Sequence, residues 1–466
     1  VSGASLGMPA AAAPRAASPW PVFAVTSVAV FLVSLDGTML YSIFEAVWAG
    51  FAGASAAEMS WVLNAYTIVF AAMLIPAGGL ADAYGKRRVF VGGVILFSLA
   101  SALCGLADSV SLLVAARALQ ALGAALLTPA SLSIVLDVFP RERRALAVSA
   151  WGAVGGFAAA IGPSLGSYIE QSMGWHWAFL INVPVAALAL LAGARRLPAA
   201  KASGRPARVD LIGMALLMVA LGALALAIVD LEGPQAGVAR FVGTLAVSMA
   251  ALAAFVAWAR VAPAPLVDLN LFRIPGYSIV NLATLSFGVA FAMMFFTFFF
   301  FMEHVWHLDR VSAGLAIMPG PLTVVPVAIV TGRLAGRLGY RRFLVGGSLV
   351  YAASGLWFLL VPGTEPAYLT HWLPGLFLSG MGVGLVMPSL SGAAVSQLPA
   401  ERYAVGSAVN QATRQMGAVI GVALTVLLLG HGALARADFN IVYGLHVVLA
   451  LLTAALCLRV RKPLAG

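Results

Sequence analysis

From Leu211 to Val229 the chain carries no charged side chain and no hydrogen-bonding side chain. Other long apolar runs follow the same plan, as in Val22 to Leu35 continued through Phe44. A helix of about 20 residues crosses the hydrocarbon of a bilayer. A barrel strand would instead alternate apolar and polar at every second residue, which these runs do not. In lipid each backbone N–H and C=O must be paired internally, so a continuous apolar run of this length reads as a spanning helix. Composition closes the argument: 62% of the 466 residues are hydrophobic and 9% are charged, against about 45–50% and about 25% in soluble domains. A water-soluble fold could not cover that much apolar surface. The expectation is an all-α membrane protein.

Fourteen spans are expected, near 22–46, 61–81, 89–107, 110–136, 146–169, 176–194, 211–230, 241–259, 277–302, 312–332, 343–361, 370–394, 404–429 and 442–459. Residues 1–20 read as a disordered cytoplasmic N-terminus. Lys and Arg set the orientation. With the N-terminus in the cytoplasm, 22 of the 27 basic residues lie on the cytoplasmic side. Only Arg240, Arg310 and Arg436 lie outside, and Arg117 and Arg414 fall within spans. Both termini are then cytoplasmic in a cell (inner) membrane. The net charge of +10 is a topology signal plus contact with anionic lipid, and nucleic acid is not an expected partner. Cys104 and Cys457 sit inside apolar runs and read as buried thiols.

The chain repeats itself. Gly78-Gly79-Leu80-Ala81-Asp82-Ala83-Tyr84-Gly85-Lys86-Arg87-Arg88 after the second span parallels Gly332-Arg333-Leu334-Ala335-Gly336-Arg337-Leu338-Gly339-Tyr340-Arg341-Arg342 after the tenth. Gly92-Gly93 parallels Gly346-Gly347, Gly123 and Pro129 parallel Gly382 and Pro388, and Ile161-Gly162 parallels Ile420-Gly421. Two copies of a six-helix unit in the same orientation follow: 21–195 and 276–466. Between them, 196–275 holds a cytoplasmic linker and two inserted helices. Parallel repeats put a site near the midplane between them, with access alternating by rocking.

Few charges lie at membrane depth, and each costs roughly 2.5–3.5 kcal/mol on insertion scales. Asp36, in Leu35-Asp36-Gly37-Thr38, is one of them. Arg117, in Arg117-Ala118-Leu119-Gln120-x-x-Gly123, lies at a compatible depth on the fourth span. A guanidinium beside Asp36 favours its ionised form, and withdrawing it favours protonation. A fixed ion pair that only orders packing is the competing reading. Glu45 lies nine residues beyond Asp36, about 180° around the helix, and reads as interfacial. Gly152, Gly156, Gly162, Pro163 and Gly166 give the fifth span small residues for close helix approach and a bend. Arg414, in Asn410-Gln411-x-x-Arg414-Gln415-x-Gly417, sits near mid-membrane with no acid at its depth in the second copy. Asp36, backbone carbonyls or an anionic substrate group are its open partners. In Glu303-His304-x-x-His307-x-Asp309 the spacing is too loose for a metal site. The run Phe295–Phe301, aromatic but for Thr297, reads as packing or lipid-facing surface, with the lining of a hydrophobic cavity as the alternative.

These motifs resemble those of the major facilitator superfamily, specifically its fourteen-span drug:proton antiporter branch, over nearly the whole chain after residue 20. The resemblance implies a major-facilitator fold of two six-helix bundles plus two inserted helices. It implies a proton-coupled secondary transporter exporting lipophilic small molecules; a specific metabolite, siderophore or lipid is the alternative cargo. Asp36 and Arg117 would carry proton coupling, with Glu45 and Glu303 as secondary acids. Gly78, Asp82, Gly85, Arg87 and Arg88 would form the cytoplasmic gate, and the fifth-span glycines the antiporter element. Trp61, Asn64, Tyr66, Gln120, Asn410, Gln411 and Arg414 would line the substrate cavity. No catalytic residue, metal or cofactor is implied, the proton gradient being the energy source. No nucleotide-binding loop is present. The partners are small-molecule substrate, protons and membrane lipids; whether a periplasmic adaptor extends the route is left open.

Overall fold

The computed structural model describes residues 18–140, 143–198, 210–230, 238–398, 402–429 and 434–460. The expected N-terminal lead-in and most of the linker at 196–210 lie outside these residues. The first helices are α1 (Trp20–Ala49), α2 (Ala56–Tyr84), α3 (Lys86–Gly105), α4 (Val110–Val138), α5 (Arg144–Met173), α6 (His176–Leu180) and α7 (Asn182–Arg196). Then come α8 (Leu211–Asp230) and α9 (Val238–Val261). The last are α10 (Pro275–His304), α11 (Arg310–Ile317), α12 (Pro319–Leu338), α13 (Tyr340–Leu360), α14 (Leu373–Ser396), α15 (Tyr403–Leu429) and α16 (Phe439–Cys457). No strand occurs among the described residues.

Twelve stretches among the described residues are helical, long and apolar enough to cross a membrane. The spans expected at 211–230 and 404–429 are helices α8 and α15 but fall outside that twelve; in α8 the apolar stretch is Leu211–Leu224. Two expected single helices are broken near an end. The span expected at 176–194 divides at Ile181, just before Pro184, and that expected at 312–332 divides at Met318, ahead of Pro319 and Pro321. A proline lacks the N–H that would continue the preceding turn. Leucines turn outward in stripes, with Leu99 on α3, Leu106 just past its end, and Leu188 and Leu191 on α7 all more than 60% exposed. Lipid is the solvent for such a surface.

Equivalent helix crossings recur at a fixed offset. A Cβ on Gly123 of α4 would stand 2.5 Å from the Phe97 amide nitrogen of α3, and one on Gly382 of α14 would stand 2.9 Å from that of Tyr351 on α13. Gly93 meets the Gly123 carbonyl and Leu127, and Gly347 meets the Gly382 carbonyl and Val386. Gly162 of α5 abuts Leu35 and Thr38 of α1, as Gly421 of α15 abuts Val289 and Ala292 of α10. Gly85 and Gly339 each hold positive φ (96° and 84°) in the turns α2–α3 and α12–α13. There the helix must reverse within one residue, a conformation glycine takes without a Cβ clash.

Helices α8 and α9 form a hairpin, clasped at its base by Asp210. One carboxylate oxygen accepts from the Gly213 amide (2.8 Å) and the Trp258 indole (2.8 Å); the other accepts from the Leu266 amide (2.8 Å). Ser248 of α9 donates to the Ala220 carbonyl of α8 (2.8 Å). The hairpin docks through α8 onto α2 and α15. Asp210→Ala removes a helix cap and two tertiary acceptors, an expected loss of about 2–3 kcal/mol. Asp210→Asn should keep part of it. Thermal melting of the two purified variants against the parent checks the order, and equal melting of all three would exclude the clasp.

Candidate functional site

Asp36 projects from α1 into a closed polar cluster inside α1–α4 and α7. Arg117 Nη1 donates to Asp36 Oδ2 at 2.6 Å, and both side chains are 2% exposed. Asp36 Oδ1 accepts from Gln120 Nε2 (2.8 Å) and from Asn182 Nδ2 (3.1 Å). Arg117 also donates to Gln120 Oε1 (2.5 Å) and to the Val62 carbonyl of α2 (3.2 Å), while its guanidinium lies 4.2 Å from the centre of the Tyr66 ring. Ser101 of α3 accepts from Gln120 (3.1 Å) and Asn182 (2.9 Å) and donates to the Phe179 carbonyl (2.9 Å). Every side chain that hydrogen-bonds the carboxylate does so as a donor. Two buried polar atoms at its margin, Asn182 Oδ1 and Tyr66 Oη, have no partner among the described residues.

The other residues marked by the sequence are dispersed. Tyr66 and Gln120 belong to this cluster. Trp61 instead lies against Gly222 of α8, facing the inserted hairpin. Asn64 is half-buried on α2. Asn410 is buried in the α10–α15 seam, donating to Asn281 (3.1 Å) and Thr284 (2.9 Å). Arg414 Nη2 donates to Gln411 Oε1 at 2.5 Å and Nη1 approaches Met387 Sδ at 3.8 Å. It is not paired with Asp36. Gly78 packs on Ala408 of α15. Arg87 is half-buried and Arg88 exposed, and the neighbouring Lys86 pairs with Asp137 at 2.6 Å. On α5, Gly162 and Gly166 meet α1, Gly156 meets Val324 of α12 (3.7 Å), and Gly152 faces open space. Pro163 lies inside the helix. Glu303 is half-buried near the end of α10. The side chains of Glu45 and Asp82 lie outside the described residues.

Among the described residues there is no group of three His, Cys, Asp or Glu that could hold a metal. His304 Nδ1 instead lies 3.1 Å from the Phe300 carbonyl. Asp309 caps α11, and the Ser312 hydroxyl and the Ser312 and Val311 amides hold its carboxyl below the usual carboxylate range.

Reading the sequence missed Ser101 and Asn182. Short uncharged polar residues are common in spans and carry little signal. It also missed His446. The glycine crossings align Asp36 with Ala290 and Ser101 with Gly355. At that place in the second copy His446 of α16 fills the space over Gly355 and lies between two carbonyls, Ala290 (3.2 Å) and Tyr351 (3.1 Å). Leu376 and Ser379 stand where Arg117 and Gln120 stand in the first. The charged cluster is therefore confined to one copy.

The puromycin resistance protein pur8 of Streptomyces alboniger is 35% identical over 412 residues, covering 87% of this chain and 80% of the relative. The tetracenomycin C resistance and export protein of Streptomyces glaucescens is 32% identical, covering 88% and 76%. The cephamycin export protein CmcT of Amycolatopsis lactamdurans is 35% identical, covering 86% and 83%. A solved structure, the human organic anion transporter MFSD10 (TETRAN), superposes with a TM-score of 0.65 at 16% identity, covering 95% of this chain and all of that one; at that identity the likeness concerns the fold. The Major Facilitator Superfamily profile matches residues 26–422, and the chain belongs to that superfamily of membrane transporters.

Proposed function

We propose that this protein exports lipophilic small molecules in exchange for protons, by alternating access between two six-helix sets, α1–α7 and α10–α16. In this reading α8 and α9 are two further crossings, giving fourteen, and both termini face the cytoplasm. The observation that carries it is the buried Asp36–Arg117 pair in an otherwise apolar bundle. The relatives named for resistance to, or export of, puromycin, tetracenomycin C and cephamycin support a drug-like cargo.

The geometry constrains how a proton would be taken up. The cluster lies wholly within α1–α4 and α7, so rigid rocking alone would leave it intact. Loading Asp36 requires α1 and α4 to part, withdrawing Arg117. Helix α1 has a smooth track for such a shift in the α5 glycines Gly162 and Gly166, and α5 in turn touches α12. Near the outer end of α1, Tyr41 meets Phe296 of α10 edge-on, with ring centres 5.4 Å apart. Motion between the helix sets thus reaches Asp36 through α1. Asn182 Oδ1 offers an acceptor once the carboxyl gains a proton. Gly78 against Ala408, with the Gly85 turn beyond it, forms the cytoplasmic closure.

Proteoliposomes holding the purified protein provide the test. Efflux of puromycin-like and polycyclic aromatic compounds should follow an imposed proton gradient and collapse when a protonophore dissipates it. Efflux unchanged by the protonophore would refute proton coupling, and no movement of any compound would refute export.

A further inference from the structure

We propose that Arg414 anchors an anionic group on the cargo, so that the preferred substrates are lipophilic organic anions: an aromatic body bearing a carboxylate, an acidic enol or an acidic phenol. The proposal rests on the exporter reading and narrows it to a substrate class. The two intramembrane arginines contrast sharply. Arg117 is 2% exposed and serves a carboxylate, an amide oxygen, a carbonyl and an aromatic face. Arg414 is half-buried, forms no ion pair among the described residues and touches one oxygen, that of Gln411, and one weak acceptor, Met387 Sδ. A guanidinium has more N–H donors than these two neighbours take up. A cation at mid-span is costly unless a partner offsets it, and Asp36 is already engaged by three donors.

The surroundings suit a cargo. The crossing of Gly421 on α10, which matches that of Gly162 on α1, aligns Gln411 with Gly152. Gly152 borders open space on α5, where an added Cβ would meet nothing within 4 Å. On α15 the same face carries Gln411 and, one turn on, Arg414, which leans toward α14 through Met387. Gly288 of α10 packs so close that an added Cβ would stand 2.9 Å from the Arg414 carbonyl. One and two turns beyond it, Phe291 and Phe295, both half-buried, stack with centres 6.1 Å apart. A planar oxyanion would take the unsatisfied guanidinium edge in a bidentate pair, and its aromatic body would lie along these rings and the thioether of Met387.

The test compares three probes of one shape on the full chain in lipid nanodiscs: 2-naphthoxyacetate, its primary amide, and 2-naphthoxyethyl-trimethylammonium. Equilibrium dialysis, with empty nanodiscs subtracted, reads binding without any gradient. The acid should bind at least about tenfold more tightly than the amide. Arg414→Gln should erase that difference, bringing the acid down to the amide or below it; Arg414→Lys should retain part of it. Equal binding of acid and amide, tightest binding of the cation, or an acid preference that survives in Arg414→Gln would each overturn the proposal. Should Arg414→Gln not fold, the wild-type comparison decides alone. Gradient-driven export of the amide and cation but not of the acid leaves the exporter reading standing and removes this one. An acid preference without gradient-driven export does the reverse.

Discussion

Asp36→Asn should abolish proton movement driven by substrate while leaving a folded but weakened protein. Asparagine keeps the shape and can still accept from Gln120 or Asn182. It removes the charge opposite Arg117, whose guanidinium then stays buried among neutral groups: the new amide, Gln120, the Val62 carbonyl and the Tyr66 and Phe179 rings. Removing one member of a buried pair costs about 3–5 kcal/mol; here the retained neighbours place the loss toward the lower figure. The double variant Asp36→Asn/Arg117→Met separates the two roles. It should regain much of the lost stability, because neither charge remains, yet transport should stay uncoupled. Thermal melting and pH-dye fluorescence in oriented vesicles read the two quantities side by side. Unimpaired exchange in Asp36→Asn would remove the proton role, and recovery of coupling in the double variant would show that the pair is only packing.

Gly123→Ala should sharply reduce the amount of folded protein. Its Cβ would stand 2.5 Å from the Phe97 amide nitrogen and 2.7 Å from its Cα. These are backbone atoms of a neighbouring helix, so no rotamer change relieves the overlap; α3 and α4 must separate along a shared crossing. Overpacking costs about 1–3 kcal/mol where side chains can yield, and this position should reach or exceed the top of that range. Gly152→Ala is the control, since its added methyl meets nothing within 4 Å. Yield of monodisperse protein after detergent extraction should fall steeply for the first and stay near the parent for the second. Similar yields would mean that the α3–α4 crossing can open without loss.

The sequence announced charges and glycines clearly and neutral polar residues poorly. Asp36 and Arg117 stood out because an ion in lipid is costly, and their similar depth suggested contact before geometry supplied 2.6 Å. The glycine pairs marked the repeat because only a glycine admits a backbone so close. Ser101, Asn182 and His446 gave no comparable signal, since what each contributes depends on three or more helices meeting at one point. The family resemblance alone put Trp61 at a cavity; in the fold its neighbour on α8 is Gly222. An inserted hairpin has no counterpart elsewhere in the chain, so pattern alone does not say where it docks. The breaks at Ile181 and Met318 were hidden because hydropathy runs on through them while prolines interrupt the hydrogen-bond ladder.

The docking of that hairpin gives the molecule a sidedness within the plane of the membrane. Two seams join the helix sets, one between α2 and α15 and one between α5 and α12. Helix α8 lies along the first, bridging both of its helices, and α9 lies over α8 with its outer face to the lipid. The second seam has no such cover among the described residues. A compound already dissolved in a leaflet therefore meets two unequal flanks, one shuttered by the hairpin and one bare. The flank without the hairpin is the α5–α12 seam, where an added Cβ on Gly156 would stand 3.7 Å from Val324.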